Sequence, residues 1–171
     1  MDDAAAKDSH ANAIHLLRTM QAHHVSLSSM ADQKANILIG VNSVIFALVM
    51  REHAEMTAPM LILAASSLTA AVLCMMAVMP AIGGPSKRQM PTRPNILFFG
   101  AFAAFDEDEF HRRLDTILLS DAAIRDAMIR DVHQLGMVLQ HKKYRYLGWG
   151  YRVFVTGMVA TLIAFSVERL A

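Results

Sequence analysis

The chain has 171 residues, 54% hydrophobic and 18% charged, with a mean hydropathy of +0.33 and a formal net charge of +1. A soluble domain has about 45–50% apolar and about 25% charged residues, so the surplus marks an integral membrane protein of one compact unit. The near-zero net charge excludes a general attraction to a nucleic acid polymer, and the single cysteine, Cys74, excludes an intrachain disulfide and is expected only to pack.

Residues 1–9 are polar and slightly acidic. They lack the basic stretch and apolar run of a signal peptide, and disorder is expected there. From about His10 the pattern turns helical, with Ile14, Leu17, Met20 and Leu27 at helical spacing and no Gly or Pro before Gly40. One long helix is expected over about 10–51. His23 and His24 are adjacent, so they point about 100° apart and do not face one ligand together.

The stretch Ala31–Met50, ADQKANILIGVNSVIFALVM, starts polar and becomes apolar without a breaker. A helix here leaves water and enters lipid. The first span, about 35–50, is about 16 residues or roughly 24 Å long, short against a hydrocarbon core of about 30 Å. Asp32–Asn36 is therefore expected in the headgroup layer. Asp32, Asn36, Gly40, Ser43 and Ala47 share one small, polar face, while Ile37, Ile45 and Leu48 help cover the rest. Asn36, Asn42 and Ser43 are costly against lipid and should face protein or water. Two roles stay open for them: hydrogen-bonding glue between helices, and membrane gating by Asn36, Gly40, Asn42 and Ser43.

Arg51–Ala58 reads as a short polar turn, and the second span follows over about 59–80. Its Ser66/Ala70 and Ser67/Ala71 pairs allow close helix approach, within one chain or between chains. Residues 81–94, with Gly83, Gly84, Pro85, Pro91 and Pro94, form a loop. The apolar, aromatic Asn95–Phe105 is too short to cross a bilayer and reads as an extended piece or a membrane-surface segment. Asp106 with Glu109 three residues on predicts a helix start. That helix runs to about Leu119, with Phe110, Leu114, Ile117 and Leu118 as its apolar face. Another helix restarts at Ser120–Asp121, with Ile124, Met128, Val132, Leu135 and Leu139 as its stripe and Arg125, Arg130 and Asp131 elsewhere. Lys142, Lys143, Tyr144, Arg145, Tyr146, Trp149 and Tyr151 read as an interfacial belt. The third span is about 147–167, with Arg152 placed to snorkel and Gly157 and Thr161 forming a small face.

Segment 81–146 carries about ten Lys/Arg and the 51–58 turn only Arg51, which puts the N-terminus and the basic segment in the cytoplasm. The expected fold is an all-α membrane protein with three transmembrane helices and a helical cytoplasmic portion. Residues 10–167 form the membrane unit, with 10–34 and 81–146 cytoplasmic, and 168–171 are a short external tail. There are no internal repeats.

No catalytic constellation is visible: no Gly-rich phosphate loop, CxxC or HExxH. His111 and Asp115 at i, i+4 read as a solvated pair, and the acids of Asp106–Glu109 favour a helix start. No enzyme activity, metal or cofactor is expected. What remains is a recognition surface. Lys34 and Arg93 could meet a phosphate. Asp32, Asn36 and Asn95 could read a base or ribose edge, and Phe98, Phe99 or Phe102 could stack on a ring. The plainer alternative is that the phenylalanines are core and that Asp32 and Lys34 anchor at the interface.

Three blocks, SLSSMADQKANILIGVNSVIFALV, RPNILFFGAFAAFDEDEF and IRDVHQLGMVLQHKKYRYLGWGYRVF, carry a resemblance over about residues 15–167. The chain resembles the transmembrane effectors of Pycsar antiphage systems. A similar module occurs fused to HD-type phosphohydrolase domains, whose catalytic motif is absent from this sequence. The matching residues include Asp32, Lys34, Ala35, Asn36, Asn95, Phe98, Phe99 and Gly100. The resemblance implies a partner pyrimidine nucleotide cyclase that makes cyclic UMP or cyclic CMP on phage infection. It implies an effector that detects this ligand and impairs the bacterial inner membrane, giving abortive infection. So little charge per subunit predicts a homo-oligomer. The competing functions are a generic nucleotide-gated small pore and a structural membrane protein that does not signal.

Overall fold

Every element of the computed structural model is helical, as composition and periodicity predict. It describes residues 2–51, 57–79 and 94–170, with only the backbone described for residues 2–10 and Phe99. Helix α1 runs over Asp2–Arg51 and α2 over Ala58–Val78; α3 is a single turn, Phe99–Phe102. Helices α4 (Glu107–Leu118) and α5 (Asp121–Val138) follow, and a π-helical turn, Leu139–Tyr144, leads into α6, Arg145–Leu170. Three helical stretches are long and apolar enough to cross a membrane: Ala11–Arg51, Ala58–Val78 and Asp121–Leu170. The centre of the expected 51–58 turn and the 81–93 loop lie outside the described residues.

Helix α1 begins at Asp2, ahead of the onset near His10 and through the residues for which composition predicts disorder. Ala4–Ala6 are the strongest helix formers, and Asp2 and Asp3 suit the positive end of the helix dipole. The helix continues without interruption through the polar-to-apolar junction at residues 31–37 and through Gly40.

The chain divides into two compact units: Met1–Ser26 with Pro80–Val138, and Leu27–Met79 with Leu139–Ala171. In the second, which holds the apolar parts of α1, α2 and α6, small side chains face inward and large ones outward. On α1 the buried positions are Ala31, Ala35, Leu38 and Asn42, which recur at helical spacing. Ala31, Ala35 and Leu38 pack with Cys74 and Ala77 of α2 and Leu147 of α6. On α2 the buried set is Pro59, Ala64, Ser67, Ala70, Ala71, Cys74 and Ala77. Leu61, Leu68, Val72 and Met75 are exposed. This inversion of a soluble core is what lipid as solvent demands: apolar bulk costs nothing outside, while small residues let backbones approach.

The α2–α6 seam is the tightest contact. A Cβ on Gly150 would lie 2.7 Å from Cys74 Sγ and 3.4 Å from the Ala70 carbonyl oxygen. A Cβ on Gly157 would collide with the Ser66 side chain. As the contacts move up α6 they move down α2, so the two helices are antiparallel. The small-residue pairs of α2 thus pack within the chain, one of the two possibilities the sequence leaves open.

The first unit is built around the α4–α5 hairpin. Asp106 caps α4, its carboxylate accepting the Glu109 N–H at 2.9 Å, while the Glu109 carboxylate turns to Arg113 at 2.8 Å. Ser120 starts α5, its carbonyl accepting the Ile124 N–H at 3.0 Å. The expected α5 stripe faces inward: Val132 is buried and Ile124, Met128 and Leu135 are half-buried. Asn95–Phe105 is not an extended piece. It forms a tight turn followed by α3, because the Asn95 side chain accepts the Leu97 N–H at 3.1 Å and its carbonyl accepts the Phe98 N–H at 3.2 Å.

Candidate functional site

Two sites emerge, one in each unit. In the first unit a cavity of about 520 Å³ opens between α4, α5 and the Pro94–Ile96 turn. Arg113, Thr116 and Ile117 reach it from α4, and Ala123, Asp126, Ala127 and Arg130 from α5. Their i, i+3, i+4 spacing places each set on one helix face. Pro94, Ile96, Ile117 and the two alanines make an apolar wall, and the polar groups are few. That is the make-up of a small-molecule pocket, which typically encloses about 300–1,000 Å³.

Asn95 is fixed in this wall. Its Nδ2 donates to Asp131 Oδ1 at 2.9 Å, and the other Asp131 oxygen accepts from Gln21 Nε2 at 2.6 Å. The buried Asp131 therefore ties together α1, the 94–97 turn and α5. After these bonds the Asn95 amide still has one N–H and one lone pair to offer. Each arginine has an ion pair one turn away on its own helix. Arg113 pairs with Glu109 at 2.8 Å and lies over the Phe105 ring at 4.6 Å. Arg130 pairs with Asp126 at 2.7 Å. Exposed i, i+4 pairs of this kind are worth about 0.3–0.5 kcal/mol, so an anion can displace them.

In the second unit Lys143, on the π-helical turn, donates to both oxygens of Asp32 at 2.6 and 2.7 Å and to Ser28 Oγ at 2.7 Å. That satisfies all three N–H donors of the ammonium. Its neighbours are committed as well: Lys142 donates to the Met79 carbonyl at 3.0 Å and the Tyr144 hydroxyl to the Leu27 carbonyl at 3.4 Å. A π-turn rotates successive residues differently from an α-helix, and such turns recur at functional sites.

The residues singled out from sequence fall as follows. Asp32 is held by Lys143, while Lys34 and Asn36 are exposed in the same unit. Asn95 lines the cavity of the other unit. Phe98 lies along Gly100, where a Cβ would come within 2.7 Å of its ring, and is not among the residues lining the cavity. Phe102 packs on Phe110 at 5.4 Å. Arg93 lies outside the described residues, and only the backbone of Phe99 is described. Of the gating candidates, Asn42 is fully buried and its Nδ2 donates to the Leu38 carbonyl at 2.8 Å. Asn36, Gly40 and Ser43 are exposed on the single chain, because α1 packs through the adjacent Ala31/Ala35/Leu38/Asn42 face. Arg113, Arg130, Asp131 and Lys143 were not picked out as site residues from sequence. Lys143 reads as one of the interfacial belt, the other three as charges beside an apolar stripe, and none has a motif to mark it.

The fold and its two polar sites define a membrane-embedded helical protein with a ligand-sized cavity in its more polar unit. The family model for the Pycsar effector protein domain matches residues 15–168, so the chain belongs to the Pycsar effector family. It is a transmembrane effector of antiphage defence, in a family whose members work with a cyclase and cyclic-nucleotide signalling. No curated protein and no solved structure matches the chain.

Proposed function

We propose that this effector binds a cyclic pyrimidine mononucleotide, cyclic UMP or cyclic CMP, made by a partner cyclase, and in response impairs the bacterial inner membrane. The observation that carries the reading is the cavity of about 520 Å³ lined by Asn95 and by two arginines from different helices. The ligand's phosphodiester carries one negative charge, which Arg113 and Arg130 suit. The pyrimidine edge needs paired donor and acceptor groups, which the Asn95 amide retains. The N-terminus and the α4–α5 hairpin are cytoplasmic in this reading, where such a nucleotide would be made.

A toxic membrane protein must be silent at rest. Moving a two-state equilibrium from 1:99 to 99:1 takes about 10⁴-fold tighter binding to the active state. The Lys143–Asp32–Ser28 cluster is suited to hold the resting arrangement. In the active state the exposed Asn36/Gly40/Ser43 face of α1 meets the same face of other copies.

The test is dye release from proteoliposomes on addition of cyclic UMP, cyclic CMP, cyclic AMP or cyclic GMP. Release with a pyrimidine and not a purine nucleotide is expected. Equal release with both classes, or with none, overturns the reading. Arg113→Gln with Arg130→Gln should abolish nucleotide binding in calorimetry. Asn36→Leu with Ser43→Leu should keep binding and abolish release.

A further inference from the structure

The interfacial belt splits into two sets of cations. Lys142 and Lys143 turn inward to protein partners. Among the described residues the side chains of Arg145 and Arg152 make no ion pair or hydrogen bond, and Arg152 lies over the Trp149 ring at 5.2 Å. Both arginines line a second pocket, of about 310 Å³, with Gln140, His141, Tyr144, Gly148 and Trp149. Arg145, Gly148, Trp149 and Arg152 lie three to four residues apart, on one face of α6. A Cβ on Gly148 would meet no atom within 4 Å, so the glycine leaves the floor of the pocket open. No carboxylate lines it.

The same face continues down the helix as Val155, Val159 and Leu162, which are 54%, 50% and 65% exposed. A cationic pocket at the start of a lipid-crossing helix therefore opens directly onto an apolar stripe. A soluble anion would use the pocket and leave the stripe unused. A molecule with a phosphate at one end and acyl chains at the other uses both. Arg152 adds a reason: it lies several residues inside the apolar run, where an uncompensated charge is costly. Trp149 supplies an amphipathic ring and an indole N–H at headgroup level.

We propose that this pocket binds the headgroup of an anionic phospholipid, with Arg145 and Arg152 on the phosphate, Trp149 beside it and the acyl chains along Val155, Val159 and Leu162. The site shares no residue with the nucleotide cavity and does not depend on it. It ties the membrane face at the N-terminal end of α6 to lipids of one charge.

Trp149 is the single tryptophan of the chain, so its fluorescence reports on this pocket alone. The protein is reconstituted in vesicles of phosphatidylcholine and phosphatidylglycerol in which either one or the other carries brominated, quenching acyl chains. At equal mole fraction, brominated phosphatidylglycerol should quench Trp149 in preference. A cation near an anionic lipid surface contributes a preference of about fivefold, so Arg145→Gln and Arg152→Gln should each cut the preference by about that factor. The double variant should show none. Arg169→Gln, at the far end of α6, should leave it unchanged. Equal quenching by both lipids in the wild-type protein overturns the proposal, as does a preference that survives the double variant. Loss of the preference in excess inorganic phosphate, but not in sodium chloride of the same ionic strength, also overturns it, by assigning the pocket to a soluble anion.

Discussion

The lipid-crossing part of the second unit and the α4–α5 unit hold together by different means. The lipid-crossing part is joined by shape: alanines, Cys74, Gly150 and Gly157 bring backbones close, and the unit's long-range polar links gather at the π-helical turn, from Lys142, Lys143 and Tyr144. Asn42 Oδ1 and Ser67 Oγ are buried in the lipid-crossing part with no hydrogen-bond partner among the described residues. The α4–α5 unit is joined by polar pins. Asp131 ties Gln21 to Asn95, and α4 has no buried residue at all. A seam of backbones is hard to rearrange, whereas a half-buried hairpin around a cavity can shift when a ligand enters.

The largest effect should come from Gly157→Val. Its side chain has no space beside Ser66, and α2 and α6 must separate to admit it. A loss of about 3 kcal/mol or more is expected, because overpacking at a backbone contact cannot relax by rotamer change. Thermal unfolding in detergent micelles checks this. A Gly157→Val protein as stable as wild type would break the account of the seam.

Next comes Asp131→Ala. It leaves the Gln21 and Asn95 amides facing a buried, empty acceptor site, a cost of about 2–4 kcal/mol for the two groups together. Nucleotide binding should weaken with stability, because Asn95 loses the bond that orients it. If Asp131→Ala unfolds no earlier than wild type, the polar-pin account fails.

Much of this was legible in the sequence, and the omissions have physical causes. The three spans, the Asp106 cap and the inward stripe Ile124/Met128/Val132/Leu135 all follow from period and local chemistry, which nearby residues settle. Asp131 did not show, because its partner Gln21 is 110 positions away and an acid next to Arg130 reads as part of a solvated charged face. The Lys143 contact did not show because a π-turn has no compositional mark. On α1 the polar stripe was visible, but not that Ala31, Ala35 and Leu38 would take the inward position. Close packing rewarded small side chains over polar ones, and that choice depends on what Cys74, Ala77 and Leu147 present.

Two smaller changes sharpen the contrast. Gly150→Ala should cost about 1–2 kcal/mol, since its Cβ would press on Cys74 Sγ. Cys74→Ala should recover most of that loss in a double-mutant cycle, because the obstruction is one sulfur atom. Lys143→Met should cost about 1 kcal/mol, a modest sum for a half-exposed ion pair. It should also lower the nucleotide concentration needed for dye release, which separates a lock on the resting state from a merely structural pair.

The smallest effect is the most telling. Ser66 and Thr69 donate to carbonyls on their own helix, at 3.1 and 2.7 Å, but Ser67 makes no such bond although it is fully buried. Its hydroxyl occupies space and satisfies nothing. Ser67→Ala removes that unpaired group at almost constant volume, so stability should stay within about 0.5 kcal/mol of wild type or rise slightly. A loss of more than about 1 kcal/mol would mean that the hydroxyl has a partner, and shape would no longer suffice to explain the lipid-crossing part. If instead stability holds and nucleotide-triggered release disappears, the hydroxyl serves a rearranged state: the resting seam tolerates an unpaired polar atom because the active seam pairs it.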